Sequence, residues 1–262
     1  MKLVWTYDSE VRTPVSSVKD WDAGYVETRR KIMLNYYLTS ITKAKQFGYY
    51  TIIYCNPPSS KYFKGIVDEI IEIVKYEDTP LWDGIKTYPI ESRRDEYCLI
   101  DGDVLLHKKL PKFTNDIVFD TWEIGNFEKD YKTTIDQLDS MGIKELIPEW
   151  NSNKQPIASS GFMYLNNDTF RTLYVTKWKI FNNFIKQHAH ILNTFESSII
   201  AGQFLFTLLL KYYNYDCKPM SEYMGEDNEF YIHYFGGRKF KNPITKWNSY
   251  IDKKDNVKNS LI

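Results

Sequence analysis

Two aspartates held one glycine apart, Asp101-Gly102-Asp103, follow the apolar run Tyr97–Ile100 and lead into Val104-Leu105-Leu106. Two carboxylates fixed at a strand end, between segments that seek burial, are costly unless something pairs with them. A divalent cation is an efficient partner, and carboxylate oxygens suit the hard cations Mg2+ and Mn2+. Gly102 lets the backbone turn so that both oxygens face one ion. The plainer alternative is a tight Asp-Gly turn in a β-hairpin. A second Asp-x-Asp, Asp20-Trp21-Asp22, has no apolar run leading into it and reads as a solvated loop.

Near the C-terminus His233, Gly236 and Lys239 recur at three-residue intervals within YIHYFGGRKF. One imidazole added to two carboxylates favours Mn2+ over Ca2+. Gly236-Gly237 lets backbone N–H groups approach a phosphate closely, and Arg238 and Lys239 supply charge. A basic surface hairpin is the plainer reading of the same residues. His107, His188 and His190 sit beside charged or polar neighbours and read as exposed.

The elements that must position these groups follow from apolar spacing. Leu3–Tyr7 and Tyr50–Tyr54 read as buried strands, separated by a one-faced helix from Arg29 to Phe47 that Gly48 ends. Ile66, Val67, Ile70, Ile71, Ile73 and Val74 predict a second helix, and Tyr97–Ile100 a third strand. Strand and helix in alternation indicate a parallel sheet with helices on its faces. Ligands then bind at the carboxyl ends of the strands, where the segments after Tyr7, after Tyr54 and around Asp101 converge. Farther on, residues 128–143, 171–187 and 195–213 read as helices, Ile157–Leu165 and Tyr231–Phe235 as strands, and the tail from Asn248 as polar surface.

Composition excludes several classes. With 34 Lys+Arg against 34 Asp+Glu the formal net charge is zero, whereas a protein that grips nucleic acid through phosphates usually carries a basic excess. No P-loop, Rossmann glycine fingerprint, Gly-x-Ser-x-Gly elbow or zinc spacing occurs. Asp8 and Glu10 interrupt any signal core, and the longest apolar stretch, Ile199–Leu210, is far short of the roughly 20 residues of a membrane span. Cys55, Cys98 and Cys217 are odd in number and read as reduced thiols of a cytoplasmic protein. Aromatic residues reach 16%, including 21 Tyr, which fits AT-rich coding, and rings also stack on sugars and bases.

Together these segments resemble a family. CLIDGDVLL resembles the strand–DxD–strand of GT-A nucleotide-sugar glycosyltransferases, and HYFGGRK is similar to the H-x-x-G-x-x-K of glycosyltransferase family 8. SSGFMYLN, Ser159 to Asn166, is similar to the family's small-x-Gly strand beside the acceptor. The resemblance implies one α/β domain over residues 1–262 with a mostly parallel central sheet. Residues 1–110 would bind the nucleotide sugar, 111–247 the acceptor, and 248–262 form the tail. It implies that Asp101, Asp103 and His233 hold Mn2+ or Mg2+ against the diphosphate. Lys239, with Arg238 or Lys86, would add a second cation, and Gly236 would give close backbone approach. Thr6, Tyr7 and Asn56 would hold base and ribose, although a turn tyrosine explains Tyr7 equally well. Glu196 or Gln203 would stand near the anomeric centre, a helix-surface position being the plainer reading of each.

The implied activity is transfer of a sugar from a nucleotide diphosphate sugar, first a UDP-sugar, to a hydroxyl, with retention of configuration. The acceptor is a glycan, a protein, or, in a virus acting in its host's cytoplasm, a hydroxymethylated or glucosylated DNA base facing Arg238, Lys239, Lys241, Lys246, Lys253 and Lys254. The alternatives are a non-catalytic nucleotide-sugar or glycan-binding module and a metal-dependent nucleotidyltransferase.

Overall fold

A computed structural model describes residues 1–9, 23–74, 79–123, 127–153, 156–224 and 231–233. The first half runs β1 (Lys2–Tyr7), α1 (Ala23–Gln46), β2 (Tyr50–Cys55), β3 (Glu69–Glu72), α2 (Thr87–Ser92), β4 (Tyr97–Ile100), β5 (Val104–Leu106), β6 (Ile117–Phe119) and β7 (Trp122–Glu123). The second continues with α3 (Phe127–Ser140), α4 (Ile143–Leu146), β8 (Ile157–Ala158), β9 (Phe162–Leu165), α5 (Asp168–His188), α6 (Thr194–Ile199), α7 (Leu205–Tyr212), β10 (Cys217–Pro219), α8 (Ser221–Met224) and β11 (Tyr231–His233). Short 3-10 turns cover Pro57–Tyr62 and Gly84–Lys86, and a π turn, Ile200–Phe204, joins α6 to α7.

Among the described residues seven strands form one sheet in the order β10-β6-β9-β4-β1-β2-β3. All neighbours are parallel except β9, which runs antiparallel to both β4 and β6. The chain is therefore α/β with a mostly parallel sheet, as its apolar spacing predicts. Alternation along the strands divides the core between the two faces. Leu3 and Trp5 of β1, Ile53 of β2 and Cys98 and Ile100 of β4 pack with Ile41 and Ala44 of α1. Val4, Ile52, Tyr97 and Leu99 pack on the opposite side with α5 and α7. Helix α5 is capped by Asn167, whose side chain accepts from the Phe170 N–H at 2.8 Å, and it buries Phe170, Tyr174, Trp178 and Phe181. Each fully buried Phe, Leu or Ile contributes roughly 1.5–3 kcal/mol by leaving water.

Two expected elements, and the hairpin alternative for the Asp101 turn, need correction. The apolar positions from Ile66 to Val74 form no helix; Glu69–Glu72 is instead β3, paired to β2 with Ile53 opposite Ile70. Its isoleucines fit either periodicity, and β-branching with the open hydrogen-bonding edge of β2 favours the strand. Ile157–Leu165 is two strands broken at Ser159–Gly161: β8 pairs with β7, and β9 enters the large sheet. Asp101-Gly102-Asp103 is a turn, with the Val104 N–H on the Asp101 carbonyl at 3.0 Å, but it makes no hairpin. Strand β4 lies between β1 and β9, whereas β5 leaves the sheet and pairs antiparallel with β11.

Cys55, Cys98 and Cys217 are free thiols, and no described helix is long and apolar enough to cross a membrane. His107 and His188 are half-buried rather than exposed, the latter because its ring packs on Phe184 and its Nδ1 meets the Phe184 carbonyl at 2.8 Å. His190 is exposed. The tail and residues 20–22 lie outside the described residues.

Candidate active site

The turn after β4 is fixed from below and from the side. The Asp101 N–H donates to the Gly161 carbonyl at 2.8 Å, tying the turn to the start of β9. Gly102 lies flat against the Tyr37 ring of α1, where an added Cβ would fall 2.3 Å from a ring carbon, so no other residue fits without displacing that ring. Ser40, also on α1, accepts from the Trp5 indole at 3.1 Å and donates to the Val104 carbonyl at 2.6 Å, which anchors β5 on the helix.

Strand β11 brings in His233. Its register with β5 sets His233 opposite Val104, next to Asp103. Gly161 makes the space: an added Cβ there would lie 2.1 Å from His233 Cε1. The potential ligand atoms of Asp101, Asp103 and His233 all lie within 4.8 Å of one another. His233 Nε2 is 3.5 Å from Asp103 Oδ1, while Nδ1 donates to Asp120 Oδ2 at 2.5 Å.

Asp120, directly after β6, joins this cluster and is a residue that the sequence motifs miss. It is 3% exposed, and it accepts from the Ser159 hydroxyl at 2.9 Å and from the Tyr231 hydroxyl as well as from His233. A histidine held by a carboxylate at one nitrogen presents the other, fixed in tautomer and orientation, to a metal. The signal was available: Ile117-Val118-Phe119-Asp120 repeats the pattern of a buried run ending in an aspartate, as at Asp101.

The electrostatics are those of a crowded acidic cluster. Burial, then the neighbouring Asp103, raises the Asp101 carboxyl, and Lys86 and His233 oppose the rise. Lys86 Nζ sits 2.6 Å from Asp101 Oδ1 and also reaches the Ser160 carbonyl at 3.4 Å. Burial works against charge on His233, but its hydrogen bonds to Asp103 and Asp120 outweigh that and push the imidazole up to about 10. Two carboxylates and an imidazole in one enclosed group form a donor set that fits a hard to borderline divalent cation. Among the described residues these three are the group that could hold a metal ion.

The other expected residues divide. Thr6 and Tyr7 are buried at the carboxyl end of β1, and the Tyr7 ring packs edge-on against Tyr37 and Phe63 at 5.0 and 5.3 Å. Asn56, at the end of β2, accepts from the Ser59 hydroxyl, and its Nδ2 is buried with no hydrogen-bond partner among the described residues. Ser59 also accepts from the Ser9 N–H at 3.1 Å, so the segments after β1 and β2 are tied together. Gln203 reaches Glu123 at 3.4 Å. Burial and the charge of Asp120 raise the Glu123 carboxyl while His233 lowers it.

Glu196 is engaged elsewhere. Asn193 caps α6 by accepting from the Glu196 N–H at 3.3 Å, and Glu196 Oε1 accepts in return from Asn193 Nδ2 at 2.9 Å. Its other oxygen takes the Thr134 hydroxyl of α3. Gly236, Arg238 and Lys239 lie outside the described residues.

No family model matches the chain, and no curated protein does. Among solved structures it is similar to the galactosyltransferase LgtC in complex with donor and acceptor sugar analogs, at 10% identity and a TM-score of 0.44, over 90% of this chain and 87% of that one. That is a distant likeness.

Proposed function

We propose that the chain is a metal-dependent glycosyltransferase that moves a sugar from a nucleotide diphosphate sugar, a UDP-sugar first, to a hydroxyl acceptor with retention of configuration. One observation carries the reading: Asp101, Asp103 and His233, from segments more than a hundred residues apart, meet at the carboxyl ends of an α/β sheet with Lys86 on Asp101. Their donor set suits Mn2+, with Mg2+ the alternative. Such an ion, when bound, acts as a Lewis acid that stabilises charge developing on a departing diphosphate.

The chain's own residues supply the rest. Asp101 and Asp103 are held rigid by the Gly161 and Tyr37 contacts, so little reorganisation is needed on binding. Lys86, and Lys239 with Arg238 farther along, add positive charge for the diphosphate. Asn56, whose Nδ2 is unpartnered among the described residues, would hold base and ribose together with Thr6 and Tyr7, and Gly236 would give close backbone approach to phosphate. Gln203, in contact with Glu123, is better placed than Glu196 for the anomeric side. In this reading residues 1–262 form one domain, and the acceptor is a glycan, a protein or a modified DNA base.

The test is thermal unfolding with UDP, GDP and their common sugar conjugates, each with Mn2+ or EDTA, on wild type and Asp103→Ala. A ligand at a hundred times its Kd adds about 2.7 kcal/mol to stability, a readable shift. A shift that needs both Mn2+ and Asp103 supports the reading and names the nucleotide. A well-folded protein that responds to none of them overturns it.

A further inference from the structure

We infer that Asp83 supplies the carboxylate that takes a hydroxyl of the transferred sugar. The inference rests on the glycosyl-transfer reading and identifies the residue on the sugar side of that site. Asp83 is 4% exposed, and its Oδ1 is buried with no hydrogen-bond partner among the described residues. Buried carboxylate oxygens are rarely left in that state, because an unpaired acceptor removed from water keeps its full desolvation cost. The Trp178 indole N–H favours the ionised form but does not meet Asp83 in hydrogen-bond geometry.

The surroundings are built around this side chain. Its backbone is pinned: the Asp83 carbonyl accepts from the Lys86 N–H at 2.9 Å, and the adjoining Trp82 N–H donates to the Ser198 hydroxyl of α6 at 2.9 Å. The other oxygen, Oδ2, faces Gly202 in the π turn, where an added Cβ would lie 2.7 Å from it and 3.6 Å from Ser160 Oγ. A π turn widens the helix at one point and often marks a functional position. Here the widened point carries a residue with no side chain, opposite Oδ2 of the carboxylate whose Oδ1 is unpartnered among the described residues.

The position relative to the metal cluster gives the ligand class. Asp83 and Lys86 project from one 3-10 turn, and Lys86 reaches Asp101. Ser160 lies between Asp83 and Lys86, while its neighbour Gly161 backs onto His233. A group joined to a diphosphate held at Asp101 and Asp103 would extend past that wall. Lys86 already supplies positive charge there, so a neutral hydroxyl donor matches Asp83 better than a second cation. Burial raises the Asp83 carboxyl most and Asp101 raises it further, against Lys86, leaving it at about 7. The acid on α6, Glu196, spends both oxygens on Asn193 and Thr134.

The experiment is calorimetric titration of the full chain in Mn2+, without acceptor, comparing UDP and GDP with their hexose conjugates. It uses wild type, Asp83→Asn, which keeps the shape, and Gly202→Ala, which crowds Oδ2. Both variants are expected to bind the nucleoside diphosphate within about twofold of wild type and the nucleotide sugar roughly tenfold more weakly. A conjugate lacking the contacted hydroxyl should bind wild type and Asp83→Asn alike, the mark of a pairwise interaction. Equal weakening of both ligand types, or of neither, in a variant that unfolds like wild type overturns the inference. Wild type that binds no nucleotide at all overturns the underlying glycosyl-transfer reading instead, and this proposal with it.

Discussion

His233 offers the sharpest test of the cluster, because its two nitrogens lie between two carboxylates. Replacing Asp120 by Asn keeps the volume and removes one of the hydrogen-bonded charges that hold the imidazole at about 10. An imidazole at that value is neutral in only about one molecule in a thousand at pH 7. Metal binding through Nε2 requires the proton to leave. Affinity at pH 7 should therefore sit about a thousandfold, or roughly 4 kcal/mol, below its high-pH limit.

Calorimetry at pH 6.5, 7.5 and 8.5, in two buffers of different ionisation enthalpy, counts the protons released. Wild type should release close to one from His233 at pH 7.5 and 8.5, with affinity for Mn2+ rising about tenfold per pH unit. Asp101, also raised, adds to that count at the acid end. In Asp120→Asn the imidazole falls only partway, because the Asp103 hydrogen bond and charge still raise it, so proton release at pH 8.5 should drop clearly below that of wild type and the slope flatten. The affinity corrected for the proton should still drop about 10- to 100-fold, because the orienting carboxylate is gone. At pH 7 these effects oppose each other, so a single-pH comparison would hide both. Wild type releasing no proton at pH 8.5, or Asp120→Asn releasing as many as wild type, refutes the reasoning.

Three further outcomes follow from the same geometry. A group raised above its unfolded value stabilises fully below that value and stops doing so as pH rises through the folded one, so EDTA-treated protein should lose stability between about pH 6.5 and 10. Thermal melts of Asp120→Asn across that range should be flatter, and parallel curves count against it. Gly161→Ala, which sets a Cβ 2.1 Å from the His233 ring, should cost at least tenfold in Mn2+ affinity while far-UV circular dichroism stays native; unchanged affinity would mean that His233 is no ligand. Lys86→Met leaves the half-buried Asp101 without its cation and should destabilise metal-free protein by about 1–3 kcal/mol. Added Mn2+ should then raise its unfolding temperature more than it raises that of wild type, and an equal rise speaks against a shared charge balance.

What could be read in the chain beforehand depended on how local the controlling physics was. Strands β1, β2 and β4 are continuous apolar runs buried on both faces, and such runs announce themselves. Strand β3 does not, because Ile66, Val67, Ile70 and Ile71 are spaced for a helix face, and only the open edge of β2 decides in favour of a strand. The Asp101 pair was legible from its flanks. Asp120 shows only as an apolar run that ends in an aspartate, and Asp83 not at all, since neither belongs to a spaced motif and each owes its setting to residues about 75 to 120 positions away, Tyr231 and His233 for one, Ser160 and Gly202 for the other. Glu196 is the opposite case: its position suggests chemistry, while Asn193, three residues earlier, engages the side chain in a cap.

The small β5–β11 sheet explains why so short a C-terminal segment can complete the site. A one-residue slip in that pairing would turn His233 to the other face, and a two-residue slip would carry it roughly 7 Å along the strand, beyond the span of the present cluster. Register is therefore as decisive as the identity of the histidine. It is held at both ends by side chains rather than by the short ladder itself. Ser40 grips the Val104 carbonyl on one strand, and on the other the Tyr231 hydroxyl reaches Asp120 while its ring stacks on Phe162 at 5.8 Å. Asp120 thus acts on His233 twice, directly through Nδ1 and again through Tyr231, which sets the strand that carries it. A carboxylate with both tasks links the placement of β11 to the electrostatics of the Asp101 turn, so the cluster is complete only with β11 paired to β5.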